Sequence, residues 1–90
     1  METYHYLVQG RVQGVSFRYY TKKEAIKLNI SGTVKNLING DVEIFAIGSK
    51  HSLLLFEDFL TTGPVFAQVK SINKKTFNPK KAFNGFEIIS

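Results

Sequence analysis

Apolar and polar side chains alternate at the start of the chain, and this period of two is typical of a half-buried strand. Residues 4–12 carry the pattern, which only Leu7 interrupts, so they are predicted to form the first strand. The spacing becomes helical further on, where residues 19–28 predict a helix. Asn29 is expected to end this helix, because asparagine tolerates the left-handed conformation that is common at helix C-termini.

Turn and cap residues divide the rest of the chain into further elements. Asn39-Gly40 predicts a tight hairpin, because both residues accept a positive φ. Ser49 is a favourable N-cap for a second helix, and Gly63-Pro64 is expected to end that helix. The predicted ranges are strands at 32–37 and 41–47, a helix at 50–62, a strand within 67–77 and a short strand at 86–89.

The order of the predicted elements is β-α-β-β-α-β followed by a short extra C-terminal strand. This is the order of the ferredoxin-like sandwich, an α+β fold in which two helices cover one face of an antiparallel sheet. We expect right-handed βαβ crossovers, with the first and third strands as neighbours. Because 43% of the 90 residues are hydrophobic, residues 1–90 are expected to form a single domain around one core.

Composition excludes several kinds of site. The chain has no cysteine, which rules out disulfides, thiolate nucleophiles and cysteine-ligated zinc. His5 and His51 are far apart in the sequence, so no metal site is expected. Adjacent Glu57 and Asp58 diverge on a helix and do not suggest a catalytic carboxylate pair. No apolar run reaches the roughly 20 residues of a membrane span, and no secretory signal is visible, so we expect a cytoplasmic protein without a membrane partner.

The net charge of +5 favours an anionic partner. RNA binding is the leading interpretation that does not involve catalysis, because the basic charge and this fold would suit it. The aromatic-rich string that RNA-recognition domains carry is absent, so we do not expect nucleic acid to be the partner. The pairs Lys74-Lys75 and Lys80-Lys81 are interpreted as solvated loop charges.

The strongest candidate for a functional site runs from Gly10 to Arg18, where a strand ends and a helix begins. Helix N-termini carry free N–H donors and a partial positive charge, which suit an anion. Gly14 lets the backbone curl until several N–H groups converge, and Arg18 adds a fork of donors for a phosphoryl group. Neither a Walker A loop nor a dinucleotide fingerprint is present. Taken alone, Gly14 is better explained as a turn glycine and Arg18 as a surface arginine.

Residues 10–18 match the string Gly-x-Val-Gln-Gly-Val-x-Phe-Arg at every fixed position, and in this the chain resembles the acylphosphatase family. Residues 32–36, Gly-Thr-Val-Lys-Asn, are similar to the family's Gly-x-Val-x-Asn, and the resemblance spans nearly the whole chain. The chain departs from the family at Thr33, which replaces a bulky aromatic residue, at Asn29, which replaces a glycine, and at Asn39, which replaces a frequent aspartate. Of these, Thr33 bears on the packing beneath the strand of Asn36.

The resemblance implies an enzyme that hydrolyses the carboxyl-phosphate bond of acyl phosphates to a carboxylate and inorganic phosphate. In the family an arginine holds the phosphate and an asparagine positions the attacking water; by motif these are Arg18 and Asn36. No cofactor or metal is implied, and a monomer is expected. The implied substrate-binding positions, whose backbone would complete a phosphate cradle, are Gln13, Gly14, Val15, Ser16 and Phe17.

Other interpretations keep the phosphate site but change its use. The chain is also consistent with a module that binds or senses phosphate without turnover, and with an enzyme whose natural substrate is a carbamoyl phosphate. Asn36 has a purely structural interpretation as well, that of a strand-end residue that caps the hairpin. An amide is not basic near neutral pH, so a catalytic Asn36 would orient water rather than deprotonate it.

Overall fold

The computed structural model describes residues 1–80 and 82–90. Over these residues the predicted order of strands and helices is present, and the bounds of the second helix and the last strand agree with the prediction. The elements are β1 (Glu2–Arg11), α1 (Phe17–Lys27), β2 (Ser31–Asn36), β3 (Val42–Gly48), α2 (Lys50–Thr62), β4 (Gln68–Thr76) and β5 (Phe86–Ile89).

The strands form one five-stranded sheet in the order β4-β1-β3-β2-β5. The first four strands in that order pair antiparallel, with β1 beside β3 and β2 beside β3, as expected. The ferredoxin-like α+β fold is therefore confirmed. The short extra strand β5 joins the edge of β2 in parallel, which makes the complete sheet a mixed one.

A single core lies between the sheet and the two helices. Tyr6 and Val8 of β1 point into it, as the alternation in the first strand predicts, and both are fully buried. Both helices contact the sheet, α1 over β2 and β5 and α2 over β4, β3 and β1, and they also contact each other. The buried apolar residues that the helices contribute are Phe17, Ala25, Leu53, Phe56 and Leu60.

Helix α1 begins at Phe17, two residues before the predicted start at residue 19. Its N-cap Ser16 has a left-handed backbone (φ 62°, ψ 24°), which turns the chain from the loop directly into the helix. Asn29 follows the other end of the helix with φ 57°, which confirms its predicted left-handed conformation. The early start matters because it places Arg18 in the first turn of α1.

The β2–β3 hairpin forms as predicted, although its turn differs in detail. Only Gly40 has a positive φ, at 98°, and the N–H of Gly40 donates to the carbonyl oxygen of Leu37 at 3.1 Å. Asn39 acts through its side chain, whose oxygen accepts the N–H of Asp41 at 3.0 Å. The result is a three-residue loop ending in glycine, a common alternative to the two-residue turn.

A partly buried polar contact joins helix α2 to the sheet. The hydroxyl of Tyr6 donates to Glu57 Oε2 at 2.6 Å, and the ammonium group of Lys74 lies 2.8 Å from the same oxygen. Glu57 thus accepts from β1 and β4 at once. The pKa of Tyr6 is raised, mainly because burial disfavours the phenolate and also because the hydroxyl donates to Glu57.

Lys74 and Lys75 do not lie in a loop, although the sequence suggested that they would. Lys74 and Lys75 lie in β4, and the Lys74 ammonium sits 4.1 Å from the centre of the Tyr4 ring as well as beside Glu57. Lys74 is therefore a paired strand residue, and its assignment to a solvated loop was wrong. Lys80 is exposed after β4, and Lys81 lies outside the described residues.

Candidate active site

A cleft of about 370 Å³ opens where β1 passes through a short loop into α1. The end of β2 forms its opposite wall, and β5 contributes one apolar side chain. The cleft brings together Arg18 and Asn36, which are distant in sequence but were both expected in the site. Its lining residues are Val12, Gln13, Gly14, Ser16, Phe17, Arg18, Tyr19, Asn36 and Ile88.

The backbone φ angle changes sign from residue to residue in the loop before α1. Gly14 has φ 76° and Ser16 has φ 62°, whereas Val15 between them stays outside the positive-φ region. An alternation of this kind turns successive N–H groups toward one side, and such concavities bind anions. A Cβ on Gly14 would touch nothing within 4 Å, so glycine is favoured here by its conformation and not by a lack of space.

The first turn of α1 adds further donors to the same wall. The N–H of Tyr20 makes the first helical bond, to the carbonyl oxygen of Ser16 at 3.2 Å. The N–H groups of Phe17, Arg18 and Tyr19 precede that bond and have no acceptor inside the helix. No acidic side chain occupies this turn, so the positive end of the helix dipole and the half-buried Arg18 are not offset there by a carboxylate.

Gln13 fastens the loop to the β2–β3 hairpin. Its side-chain nitrogen donates to the carbonyl oxygens of Leu37 and Asp41, at 2.8 Å each. The side chain of Gln13 is thus engaged by protein main chain, although the residue lines the cleft as expected. Because Asn36 directly precedes this hairpin loop, the two hydrogen bonds connect the end of β2 that carries Asn36 to the loop before α1.

Asn36 is the last residue of β2, where it pairs with Val42 of β3. Its side-chain oxygen is buried and has no hydrogen-bond partner among the described residues. An acceptor left in this state costs on the order of 1–3 kcal/mol, so a donor from a bound water or ligand would stabilise it. Asn36 therefore brings a side chain with a buried, unused acceptor to the cleft that Arg18 and the first turn of α1 also line.

Val15, whose main chain was expected in the cradle, lines a second groove beside the loop and is not among the residues that line the cleft. Two residues of the cleft were not expected there. Tyr19 was not expected in the cleft, although its place next to Arg18 was a usable signal. Ile88 was also missed, because it reaches the cleft only through the pairing of β5 with β2, opposite Val34.

Residues 1–80 and 82–90 contain no group of three or more His, Cys, Asp or Glu side chains close enough to hold a metal ion. Neither of the helices in these ranges combines the length and the apolar character that crossing a membrane requires.

Comparison with known proteins decides what family this fold and cleft represent. The profile of the acylphosphatase family matches residues 4–88. The chain belongs to the acylphosphatase family. The acylphosphatase of Vibrio parahaemolyticus serotype O3:K6 (strain RIMD 2210633) is 43% identical over 84 residues, which cover 93% of this chain and 92% of that protein. The match confirms the family that the motifs of residues 10–18 and 32–36 indicate.

Solved acylphosphatase structures share the whole architecture. The crystal structure of acylphosphatase from Bacillus subtilis has a TM-score of 0.94 at 37% identity, with both chains fully covered. The structure of an acylphosphatase from Coxiella burnetii has a TM-score of 0.91 at 35% identity and covers 98% of this chain and 92% of its own. The protein is accordingly an enzyme of the acylphosphatase type.

Proposed function

We propose that this enzyme hydrolyses the carboxyl-phosphate bond of acyl phosphates, releasing a carboxylate and inorganic phosphate. One observation carries the proposal: a single cleft is lined by Arg18, by the first turn of α1 with its free N–H groups, and by Asn36, whose buried side-chain oxygen has no partner among the described residues. The donors suit a phosphoryl group, and the acceptor suits a water molecule beside it.

In this proposal the phosphoryl group is held by Arg18 and by backbone donors of residues 14–18. The guanidinium group matches two phosphoryl oxygens with a planar fork of N–H donors. Phosphoryl transfer depends mainly on position and charge stabilisation, which fixed donors supply without reorganising during the reaction. Of the expected binding residues, Gln13, Gly14, Ser16 and Phe17 border the cleft. Val15 would contribute its main chain, and the side chain of Gln13 holds the loop in place.

The oxygen of Asn36 would accept a hydrogen bond from the attacking water. The water oxygen then forms a bond to phosphorus as the bond from phosphorus to the carboxyl oxygen breaks in line. The carboxylate leaves with the electron pair of the broken bond, and a phosphoryl oxygen takes the proton of the water. No general acid is required, because a carboxylate is a good leaving group, and Asn36 acts by orientation.

We also propose that the reaction needs no metal ion, since Arg18 and the N–H donors of the loop already supply positive charge at the phosphoryl oxygens. A cytoplasmic monomer composed of one domain, residues 1–90, completes the proposal. Its support is the single core beneath both helices and a sequence without cysteine, which fits a reducing compartment.

The decisive experiment measures phosphate release from benzoyl phosphate by the purified protein in the presence of a metal chelator. Arg18→Ala is expected to lower kcat by at least about 10²–10³-fold, the usual effect of removing one preorganised charge-stabilising donor. Arg11→Ala is the matched control, because Arg11 is exposed at the end of β1 and does not line the cleft. It removes the same charge and is expected to retain activity.

Other outcomes select other functions. No hydrolysis by the folded wild-type protein, together with saturable binding of inorganic phosphate, would indicate a phosphate-binding module. Equal loss of activity in Arg18→Ala and Arg11→Ala would assign the effect to net charge and remove the role given to Arg18. Parallel assays with carbamoyl phosphate and benzoyl phosphate decide which substrate class the wild-type enzyme prefers.

A further inference from the structure

A second groove of about 420 Å³ lies on the other side of the loop that forms the cleft. We call it the apolar groove. Most of its lining is apolar, and much of that lining comes from the segment between α2 and β4. The residues that define it are Val15, Tyr20, Phe59, Pro64, Val65 and Phe66, and Ser16 lies at its margin.

The apolar groove and the cleft adjoin each other at the loop. Ser16 borders both, Gly14 and Phe17 face the cleft, and Val15 faces the groove. A molecule whose phosphoryl group sits on the backbone of this loop therefore needs only a short extension to enter the groove. The loop forms the boundary between a polar site and an apolar one.

The direction from which water attacks determines on which side of the phosphoryl group the acyl group lies. In an in-line displacement the leaving group lies opposite the attacking water. Asn36, which would hold the water, belongs to β2, whereas Pro64, Val65 and Phe66 precede β4. The sheet order places β2 and β4 on opposite sides of β1, and the loop of the cleft follows β1. The acyl group would thus leave on the side where the groove lies.

We propose that the apolar groove binds the acyl group of the substrate and makes the enzyme prefer acyl phosphates with aromatic or branched apolar acyl groups. This inference rests on the proposed function. Phe66 and Val65 are 83% and 75% exposed, so both retain apolar surface that such a group would cover. Among the residues that the structure describes, no charged side chain lines the groove, so an acyl group that carries a second carboxylate would gain no partner from them.

The test compares benzoyl phosphate with acetyl phosphate, which share the reacting bond and differ in the acyl group. Phe66→Ala is expected to raise KM for benzoyl phosphate about tenfold with little change in kcat, as loss of an apolar pocket contact does. Its constants for acetyl phosphate should stay near the wild-type values, since a methyl group offers little apolar surface for Phe66 to cover. Val65→Ala is expected to act in the same direction with a smaller effect.

Leu54→Ala is the control, because Leu54 is an exposed apolar residue of α2 that lies outside both the groove and the cleft. If Phe66→Ala leaves the benzoyl-to-acetyl ratio of kcat/KM unchanged, the groove does not bind the acyl group and the proposed hydrolysis stands. A wild-type protein that hydrolyses neither substrate would overturn the proposed function itself. A changed ratio in Leu54→Ala would also contradict the groove as the source of the preference.

Discussion

The side-chain nitrogen of Gln13 lies 2.8 Å from the main-chain oxygen of Asp41, across the turn that follows Asn36. The same nitrogen also donates a hydrogen bond to the main-chain oxygen of Leu37, so two bonds hold the loop against the hairpin. The loop that would hold a phosphoryl group and the strand end that would hold a water are therefore joined by one side chain. We expect their separation to depend on Gln13 as well as on the strands.

Gln13→Leu keeps the size of the side chain but removes both donors. The free energy of unfolding is expected to fall by about 1–2 kcal/mol, because each carbonyl keeps a main-chain partner and loses only one bond. kcat is expected to fall by about tenfold or more, since small misplacements of reacting groups are costly. Urea denaturation and steady-state kinetics with benzoyl phosphate measure the two effects.

Gln68→Leu is the control for that substitution, because Gln68 is exposed in β4 and lines neither the cleft nor the apolar groove. It should leave both quantities near the wild-type values. Loss of stability in Gln13→Leu with an unchanged kcat would show that Gln13 supports the fold alone and does not set the geometry of the site.

Asn36→Ala separates the two tasks assigned to the cleft. Loss of the oxygen that would orient water is expected to lower kcat by about 10²-fold. The inhibition constant for inorganic phosphate should hardly change, because Arg18 and the loop donors remain. The unfolding free energy is expected to stay the same or rise, because the buried oxygen of Asn36 has no partner among the described residues.

Weaker inhibition by phosphate with a normal kcat in Asn36→Ala would contradict this assignment. It would mean that Asn36 binds the phosphoryl group and does not orient the water. Asn39→Ala is a useful companion, since Asn39 lies in the adjacent turn outside the cleft and makes a local contact with Asp41. That variant should cost some stability and little activity.

Tyr6 is expected to make the free energy of unfolding depend on pH. Its pKa in the folded protein is raised above the ordinary value of 10.0, mainly by burial and then by the bond to Glu57. The unfolded chain therefore loses the phenol proton first as the pH rises. The stabilisation from Tyr6 is complete below about pH 10 and declines above it. The pKa of Lys74 is also raised, chiefly by its bond to Glu57, and acts in the same direction.

Tyr6→Phe should therefore flatten the loss of stability at alkaline pH, although the variant is less stable than wild type near neutrality. Chemical denaturation at several pH values between about 8 and 11 measures the slope. Tyr19→Phe serves as the comparison, because Tyr19 is 57% exposed, and its slope should match the wild type. An unchanged slope in Tyr6→Phe would mean that Tyr6 does not control the alkaline transition.

Much of the fold follows from local patterns. Helix α2 has the predicted bounds because Ser49 and Gly63 mark its ends, and the Ser49 hydroxyl accepts the N–H of Ser52 at 3.1 Å. The left-handed conformation of Asn29 was also predictable, because asparagine tolerates it at the end of a helix. Such features depend on a few neighbouring residues, so the sequence is sufficient to predict them.

Features that depend on contacts between distant parts of the chain were harder to predict from the sequence. Arg18 and Asn36 were found through motifs, and the resemblance named Gln13 without indicating that its amide binds the hairpin. Ile88 entered the cleft wall through parallel pairing with β2, which no local pattern encodes. The apolar groove was missed because Val65 and Phe66 follow a helix end and carry no periodicity.

The position of β1 between β3 and β4 has a consequence for how fast the chain folds. Pairing β1 with β4 joins residues such as Tyr4 and Thr76, and the Thr3 hydroxyl donates to Phe77 across a separation of 74 residues. Such contacts become favourable only after a long loop has closed, and chains dominated by them fold slowly for their size. The helices can form early, whereas the sheet, and with it the wall that Ile88 completes, is expected to form in the rate-limiting step.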